Sequence, residues 1–350
     1  MSLERIQIVL MRIIEGFSDY FVSHLKKTYN QTPTNIDVKN ISVEKKFGTT
    51  GIHLVKVSLD SDVGEDDASI AVKIYDQKDL ALDIVKRINT LDSRLKDYTK
   101  LGISSAPVIF FSGSVIIMEG IKGEIFRNSK IPKPQKYRYA GRALAAFHGV
   151  QKDGVWFDKY KLLISRSLEA IPVSLEMKKN LNAAFSRVLP LAEQASQFSG
   201  CPSFGDFHPG NLIFDIRVGR NPMIQTYLID PEFLDSSDEH DRLEDICNFF
   251  AVEAVDLFRM NRSLDKLRMN IKSFLSGYKE VLAYNQCNLE DYYTGTYIPI
   301  NFHLALMVLM SILNILNMGD LFGGEAGITK EIALRCNLIE KLLDDNSFLE

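Results

Sequence analysis

Two periods run along the chain. Near the N-terminus Ile6, Val9, Leu10, Ile13, Phe17 and Phe21 recur at helical spacing, which predicts an amphipathic helix over 3–28. The period then drops to two. Ile41, Val43 and Phe47 alternate with polar residues, Val55, Val57 and Leu59 do the same, and Ile70, Val72 and Ile74 make a third strand. A helical stretch over 78–99 follows. Val108–Phe111 and Val115–Met118 flank the turn Ser112-Gly113-Ser114, as in a hairpin. The first 118 residues thus read as a mostly antiparallel sheet with one inserted helix.

Two prolines and several polar residues make 125–134 a connector. Beyond it the pattern turns helical. Ala140, Leu144 and Phe147 share a face, and further helices are predicted near 174–196, 241–259, 264–284, 300–317 and 328–344. One β interruption stands at 212–229, and no internal repeat is visible. The expected fold class is α+β in two lobes. A small antiparallel β-sheet lobe covers 1–118 and a mainly helical lobe covers 125–350, with 119–124 between them.

Composition narrows the partners. With 350 residues, 46% of them hydrophobic and 25% charged, the chain is an ordinary globular protein with room for a sizeable core. The net charge is −4 and no Lys/Arg block stands out, so no nucleic-acid partner is expected. The run 300–318 is the most apolar. It carries Asn301, His303, Ser311, Asn314 and Asn317, which predicts a buried helix and no membrane partner. Glu4, Arg5, Arg12 and Glu15 break the apolar N-terminal residues, so no signal peptide is expected there. Cys201, Cys247, Cys287 and Cys336 have neither metal-ligand spacing nor the density of a disulfide framework, which points to a reducing cytoplasm.

The chemistry concentrates in Gly205-Asp206-Phe207-His208-Pro209-Gly210-Asn211, followed by Leu228-Ile229-Asp230-Pro231-Glu232. Pro209 and Gly210 make the first a tight loop. Leu212–Phe214 and Met223–Ile229 read as a hairpin whose base brings Asn211 and Asp230 side by side, with Asp206 just beyond. Hard oxygen ligands of this kind suit Mg²⁺ and phosphoryl transfer, where positioning and charge neutralisation supply most of the catalysis. Any one of these residues alone would be read as a turn or cap residue; the ordered set is the signal. Lys73 is a cation in an apolar strand, sharing a face with Ser69, Ala71 and Tyr75, and needs an anionic partner or solvent. ATP phosphates would be such a partner. Phe47-Gly48-Thr49-Thr50-Gly51 joins the first two strands and reads either as a hairpin turn or as a backbone cradle for phosphate.

This set resembles the aminoglycoside phosphotransferase and choline kinase superfamily, related to protein kinases. The likeness runs from about 40 to 260 and implies a two-lobed protein-kinase-like fold. It also implies an ATP- and Mg²⁺-dependent phosphotransferase that acts on a hydroxyl of a small molecule. By that resemblance Asp206 matches the catalytic aspartate, and Asn211 and Asp230 match the metal-binding pair. Lys73 matches the lysine that holds the α- and β-phosphates. Gly48, Thr49, Thr50 and Gly51 stand where the family has its phosphate loop, though not in its commonest form. Met118–Glu124 matches the hinge, where Glu119 and Ile121 would meet adenine through their backbones. Leu144…His148 looks like a packing helix end, and Asp245 like a structural aspartate.

The chain also departs from the pattern. Phe204 stands where the family's loop usually has histidine, and no Glu occurs between 66 and 118 to pair with Lys73, which leaves Asp83 or Asp92 for that role. The acceptor stays open among amino sugars, aminoglycosides, amino alcohols and sugars. Asp235, Asp238, Glu239 and Asp241 read either as a solvated loop or as a site for a cationic acceptor, and Tyr292, Tyr293 and Tyr297 either as packing or as a cation–π pocket. A nucleotide-binding scaffold without turnover is the alternative. A protein kinase is disfavoured by the short segment between Asp230 and the helix near 241. A homodimer is neither indicated nor excluded.

Overall fold

The computed structural model describes residues 9–10, 16, 18–47, 52–149, 154–155, 158–194, 197–217, 223–288, 293–294, 300–317 and 325–344. The chain divides into two compact units. One comprises Met1–Ser129 with Leu212–Glu232, the other Lys130–Asn211 with Phe233–Glu350.

The first unit is built on a five-stranded antiparallel sheet. Its strands are β1 (Ile36–Phe47), β2 (Ile52–Ser61), β3 (Asp66–Ile74), β5 (Val108–Ser112) and β6 (Val115–Glu119), in the order β1-β2-β3-β6-β5. Period-two patterning decides its faces. On β2 Val55, Val57 and Leu59 are buried, and with Ile70 and Val72 of β3 they pack against Phe21 and Leu25 of helix α1 (Ser18–Tyr29). The opposite face, around Ile116, is covered by Ala81, Ile84 and Ile88 of α2 (Lys78–Leu95). Register places Lys73 opposite Ile116, on that α2 face.

Most of the predicted elements of this unit appear. Strand β1 starts earlier than expected, because its first residues pair with the end of β2. Register shifts between Val38 and Asn40 and between Val43 and Lys45 reset its alternation, which the pattern alone does not reveal. The predicted N-terminal helix is seen as α1 over its C-terminal half, and most of 3–17 lies outside the described residues.

The hairpin β11 (Leu212–Arg217) and β12 (Met223–Leu228) pairs Leu212 with Leu228. Its outer neighbours are β4 (Ile103–Ser105), parallel to β12, and β7 (Glu124–Ile125), antiparallel to β11. This four-stranded sheet fixes the hairpin within the first unit, although the chain reaches it from helical sequence.

The second unit is mainly helical. Its helices are α3 (Lys133–His148), α4 (Asp158–Ala170), α5 (Leu175–Gln194), α6 (Arg242–Arg259), α7 (Asp265–Tyr284), α8 (Ile300–Asn317) and α9 (Glu325–Asp344). Five of them match predicted spans closely; α4 was not anticipated. A strand at 235–240 was also unexpected. β13 (Asp235–His240) pairs with β10 (Cys201–Ser203) although its sequence is wholly polar. Helix α8 is buried. Asn301 within it donates to the Leu342 carbonyl at 3.0 Å, and His303 lies 3.3 Å from Asp241. No helix among the described residues is long and apolar enough to cross a membrane.

Helices α3 and α7 approach almost backbone to backbone. A Cβ on Gly277 would stand 1.9 Å from the Arg138 carbonyl oxygen, and one on Gly141 would stand 2.0 Å from that of Phe274. Neither neighbour is a side chain that could swing away. Gly277→Ala is therefore expected to cost about 3 kcal/mol of unfolding free energy, read as a lowered denaturation midpoint. An unchanged midpoint would show that the two helices have room to separate.

Candidate active site

In the first unit the site grows from two strand ends. Lys73 lies near the end of β3 and is 3% exposed. A cation so placed must find counter-charge. Its Nζ is 3.0 Å from Asp230 Oδ1 and also donates to Glu232 Oε1. Glu232 Oε1 accepts a second bond from the Tyr75 hydroxyl at 2.9 Å, and the ammonium lies 5.3 Å from the centre of the Tyr75 ring. Burial, and then the charge of Glu232, push the Tyr75 phenol far above its ordinary pKa, so it remains a donor. Asp230 adopts φ +60, a left-handed conformation uncommon outside glycine and concentrated at functional sites.

The expectation that Asp83 or Asp92 pairs with Lys73 does not hold. Asp83 binds Arg87 one turn further along α2 at 2.8 Å, and Asp92 accepts from the Ser105 hydroxyl at 2.7 Å. Arg87 in turn donates to the backbone carbonyl of Glu232. Tyr75, Arg87 and the partnership of Glu232 with Lys73 were missed in the sequence. The only hint was that Tyr75 shares a strand face with Lys73.

Of the residues resembling the hinge, Glu119 closes β6 with its N–H on the Pro107 carbonyl (3.0 Å), and Gly120 donates to the Ser69 carbonyl (2.9 Å). Ile121 lines a cavity of about 370 Å³ together with Leu54, Lys56, Ala68, Ser69 and Lys122. Gly48, Thr49, Thr50 and Gly51 lie outside the described residues.

In the second unit the loop 204–211 is pinned at its start by one buried carboxylate. Asp245, in the first turn of α6, accepts from the Phe204 N–H at 2.7 Å, the Gly205 N–H at 3.2 Å and the Ser203 hydroxyl at 3.1 Å. His148, at the end of α3, braces Asp245 at 3.1 Å and meets the Tyr278 hydroxyl at 2.6 Å. Gly205 has φ +78, and a Cβ there would stand 2.3 Å from the Phe233 carbonyl oxygen, so the chain can turn here only as glycine. Phe204 is fully buried, edge-on to Phe147 and Phe207 at 5.6 and 5.7 Å. Aromatic packing thus anchors a position where the resembled family has a histidine.

The far end of the loop closes on itself. Asn211 is buried, and its side-chain amide donates to the Asp206 carbonyl at 2.9 Å while its N–H donates to that of His208. The Asp206 carboxylate is half exposed. His208 Nδ1 accepts from the Gly210 N–H at 2.8 Å, so in the neutral ring Nε2 carries the proton, 3.5 Å from Asp206 Oδ2. The acidic stretch after Asp230 is engaged internally. Asp235 and Glu244 meet His240 at 3.1 and 3.2 Å, and Asp241 is a buried N-cap for α6. Tyr292 and Tyr297 lie outside the described residues, as do the side chains of Asp238, Glu239 and Tyr293.

Among the described residues no group of three His, Cys, Asp or Glu side chains gathers as a metal cage. Asn211 directly precedes Leu212 and Asp230 stands two residues after Leu228, the pair that closes the base of the hairpin.

Residues 97–262 match the phosphotransferase enzyme family, a span that holds Asp206, Asn211 and Asp230 and begins after Lys73. The chain is similar to that family over this span. A solved glucosamine kinase aligns over 95% of this chain and 87% of its own, with a TM-score of 0.54 at 12% identity, and the fold is the two-lobed protein-kinase-like one. A Plasmodium vivax ethanolamine kinase also matches (TM-score 0.49, 16% identity, 86% of this chain and 83% of that one). So does a macrolide 2′-phosphotransferase from Brachybacterium faecium (0.48, 10%, 90% and 96%). No curated protein matches in sequence.

The Asp245 clamp makes a stability prediction. Asp245→Ala leaves two backbone N–H groups and His148 without their buried acceptor and should cost about 3–5 kcal/mol in urea denaturation. A loss below about 1 kcal/mol, the range of an exposed pair, would mean that the loop is held by something else.

Proposed function

We propose that this chain is an ATP-dependent phosphotransferase that places the γ-phosphate of ATP on a hydroxyl of a small molecule such as an amino sugar, aminoglycoside, amino alcohol or sugar. The observation that carries this reading is the 3.0 Å pair between Lys73 and Asp230. They stand 157 residues apart in sequence and were singled out separately, one for nucleotide phosphates and the other for metal. The match of residues 97–262 to the phosphotransferase enzyme family supports the same reading.

In this account Lys73 neutralises and orients the α- and β-phosphates. The Glu119 and Ile121 backbones meet adenine, and residues 48–51 cradle phosphate oxygens. Asn211 and Asp230 would hold Mg²⁺, which supplies charge neutralisation along the triphosphate when bound. Asp206 accepts a hydrogen bond from the acceptor hydroxyl and aligns its oxygen with the γ-phosphorus. As the new O–P bond forms and the bond to the β-phosphate oxygen breaks, the hydroxyl proton passes to Asp206 and ADP leaves. His208 Nε2, 3.5 Å from Asp206, helps to fix that carboxylate. The four cysteines are free and buried.

A second reading, a nucleotide-binding scaffold, draws on Phe204 and on the absence of a helix glutamate. One assay separates the two. ADP release from Mg-ATP is followed across amino alcohols, amino sugars, aminoglycosides, homoserine and simple sugars. The expected result is turnover on one acceptor class, lowered by about 10²–10⁴-fold in Asp206→Asn, the range for loss of a positioned base, with ATP binding retained. Turnover undiminished in Asp206→Asn would remove Asp206 from the mechanism. ATP binding with silence on every acceptor would favour the scaffold.

A further inference from the structure

Protein-kinase-like phosphotransferases of the kind this chain resembles usually pair the strand lysine with a glutamate from the following helix. Here α2 carries no glutamate. It presents Arg87 instead, which grips the backbone carbonyl of Glu232 while pairing with Asp83. The helix thus addresses the Asp230-Pro231-Glu232 segment rather than the lysine.

The Glu232 carboxylate is built into place from several sides. Oε1 takes both the Lys73 ammonium and the Tyr75 hydroxyl. Pro231 restricts the backbone just before it, and the left-handed Asp230 sets the chain's direction. Tyr75 lies two residues beyond Lys73, just past the end of β3, where its N–H donates to the Ser114 carbonyl at 2.9 Å, so both donors reach one oxygen from backbone that is tied down. Lys73 has a second acid in Asp230, but on the reading above Asp230 shares its charge with metal. Glu232 is then the acid left to neutralise a lysine that is almost wholly buried.

We propose that Glu232 is the positioning residue for Lys73, held by Tyr75 and Arg87, and that it does from the metal-site segment what a helix glutamate does elsewhere in the superfamily. This inference rests on the nucleotide reading under Proposed function. The lysine would keep its place between nucleotide cycles, and the segment carrying Asp230 would be tied to the strand that meets the phosphates. The competing role for Glu232 is ligation of a second metal ion.

ADP affinity of the full chain, measured by calorimetry in Mg²⁺ and again in EDTA, decides between the two roles. Glu232→Gln should weaken ADP by about tenfold, a charge-assisted hydrogen bond's worth, and should do so in both buffers because the lysine meets phosphate with or without metal. In a Lys73→Met background the same change should add nothing. Tyr75→Phe, which deletes one hydroxyl and keeps the ring, should weaken ADP by about threefold and carries the test if Glu232→Gln does not fold. Unchanged affinity in both variants, or additive losses with Lys73→Met, would overturn the proposal. A loss confined to the Mg²⁺ buffer would make Glu232 a metal ligand instead. A wild-type chain that binds no ADP in either buffer would overturn the nucleotide reading itself, and this inference with it.

Discussion

A buried ammonium group is the constraint on which the first unit is arranged. Taking a lysine out of water costs several kcal/mol unless opposite charge and hydrogen bonds meet it. Lys73 sits on the α2 face of the sheet, beside the apolar cluster of Ala81, Ile84, Ile88 and Ile116, so the counter-charge has to come from elsewhere in the chain. It comes from Asp230 and Glu232, at the end of a hairpin anchored by β4 and β7. The hairpin's place in this unit is therefore electrostatic as well as hydrogen-bonded. Satisfying the lysine brings Asp230, proposed for metal, to Lys73, proposed for phosphate.

The second unit solves a different problem with the same economy. A tight loop carrying Asp206 exposes several backbone N–H groups that need acceptors. The buried Asp245 accepts from the first two and from Ser203, and His148 with Tyr278 holds Asp245 in turn. Phe204 completes the anchor through packing. An aromatic ring there needs no hydrogen-bond partner, so the backbone clamp does not depend on the side chain at that position.

Much of this was legible in the residues, for physical reasons that differ by element. Strand β2 announces itself because one face is wholly buried, which forces strict alternation, and β3 keeps that period in Ala68, Ile70 and Val72 although Ser69 and Lys73 are buried as well. Helices α6, α7 and α8 have long apolar faces against their neighbours. Asp206, Asn211, Asp230 and Lys73 stand out because their residue types and order are costly to keep for packing alone. What stayed hidden is tertiary. Strands β4 and β7 are three and two residues long, too short to show a period. Strand β13 is polar throughout, so hydropathy reads it as a loop. The acid of Lys73 was sought nearby on α2, whereas the chain supplies it from 159 residues away, a distance over which no local spacing rule operates.

On the proposed function, phosphate leaves ATP for a small organic hydroxyl. The most direct test is to supply ATP labelled on its γ-phosphate together with a protein-free extract of small metabolites, and to follow the label with wild type and with Asp206→Asn. Wild type is expected to move label into a dialysable organic phosphate, and the variant to leave it in ATP. Label found only as inorganic phosphate, bound to protein, or equally transferred by both chains would contradict the proposed function.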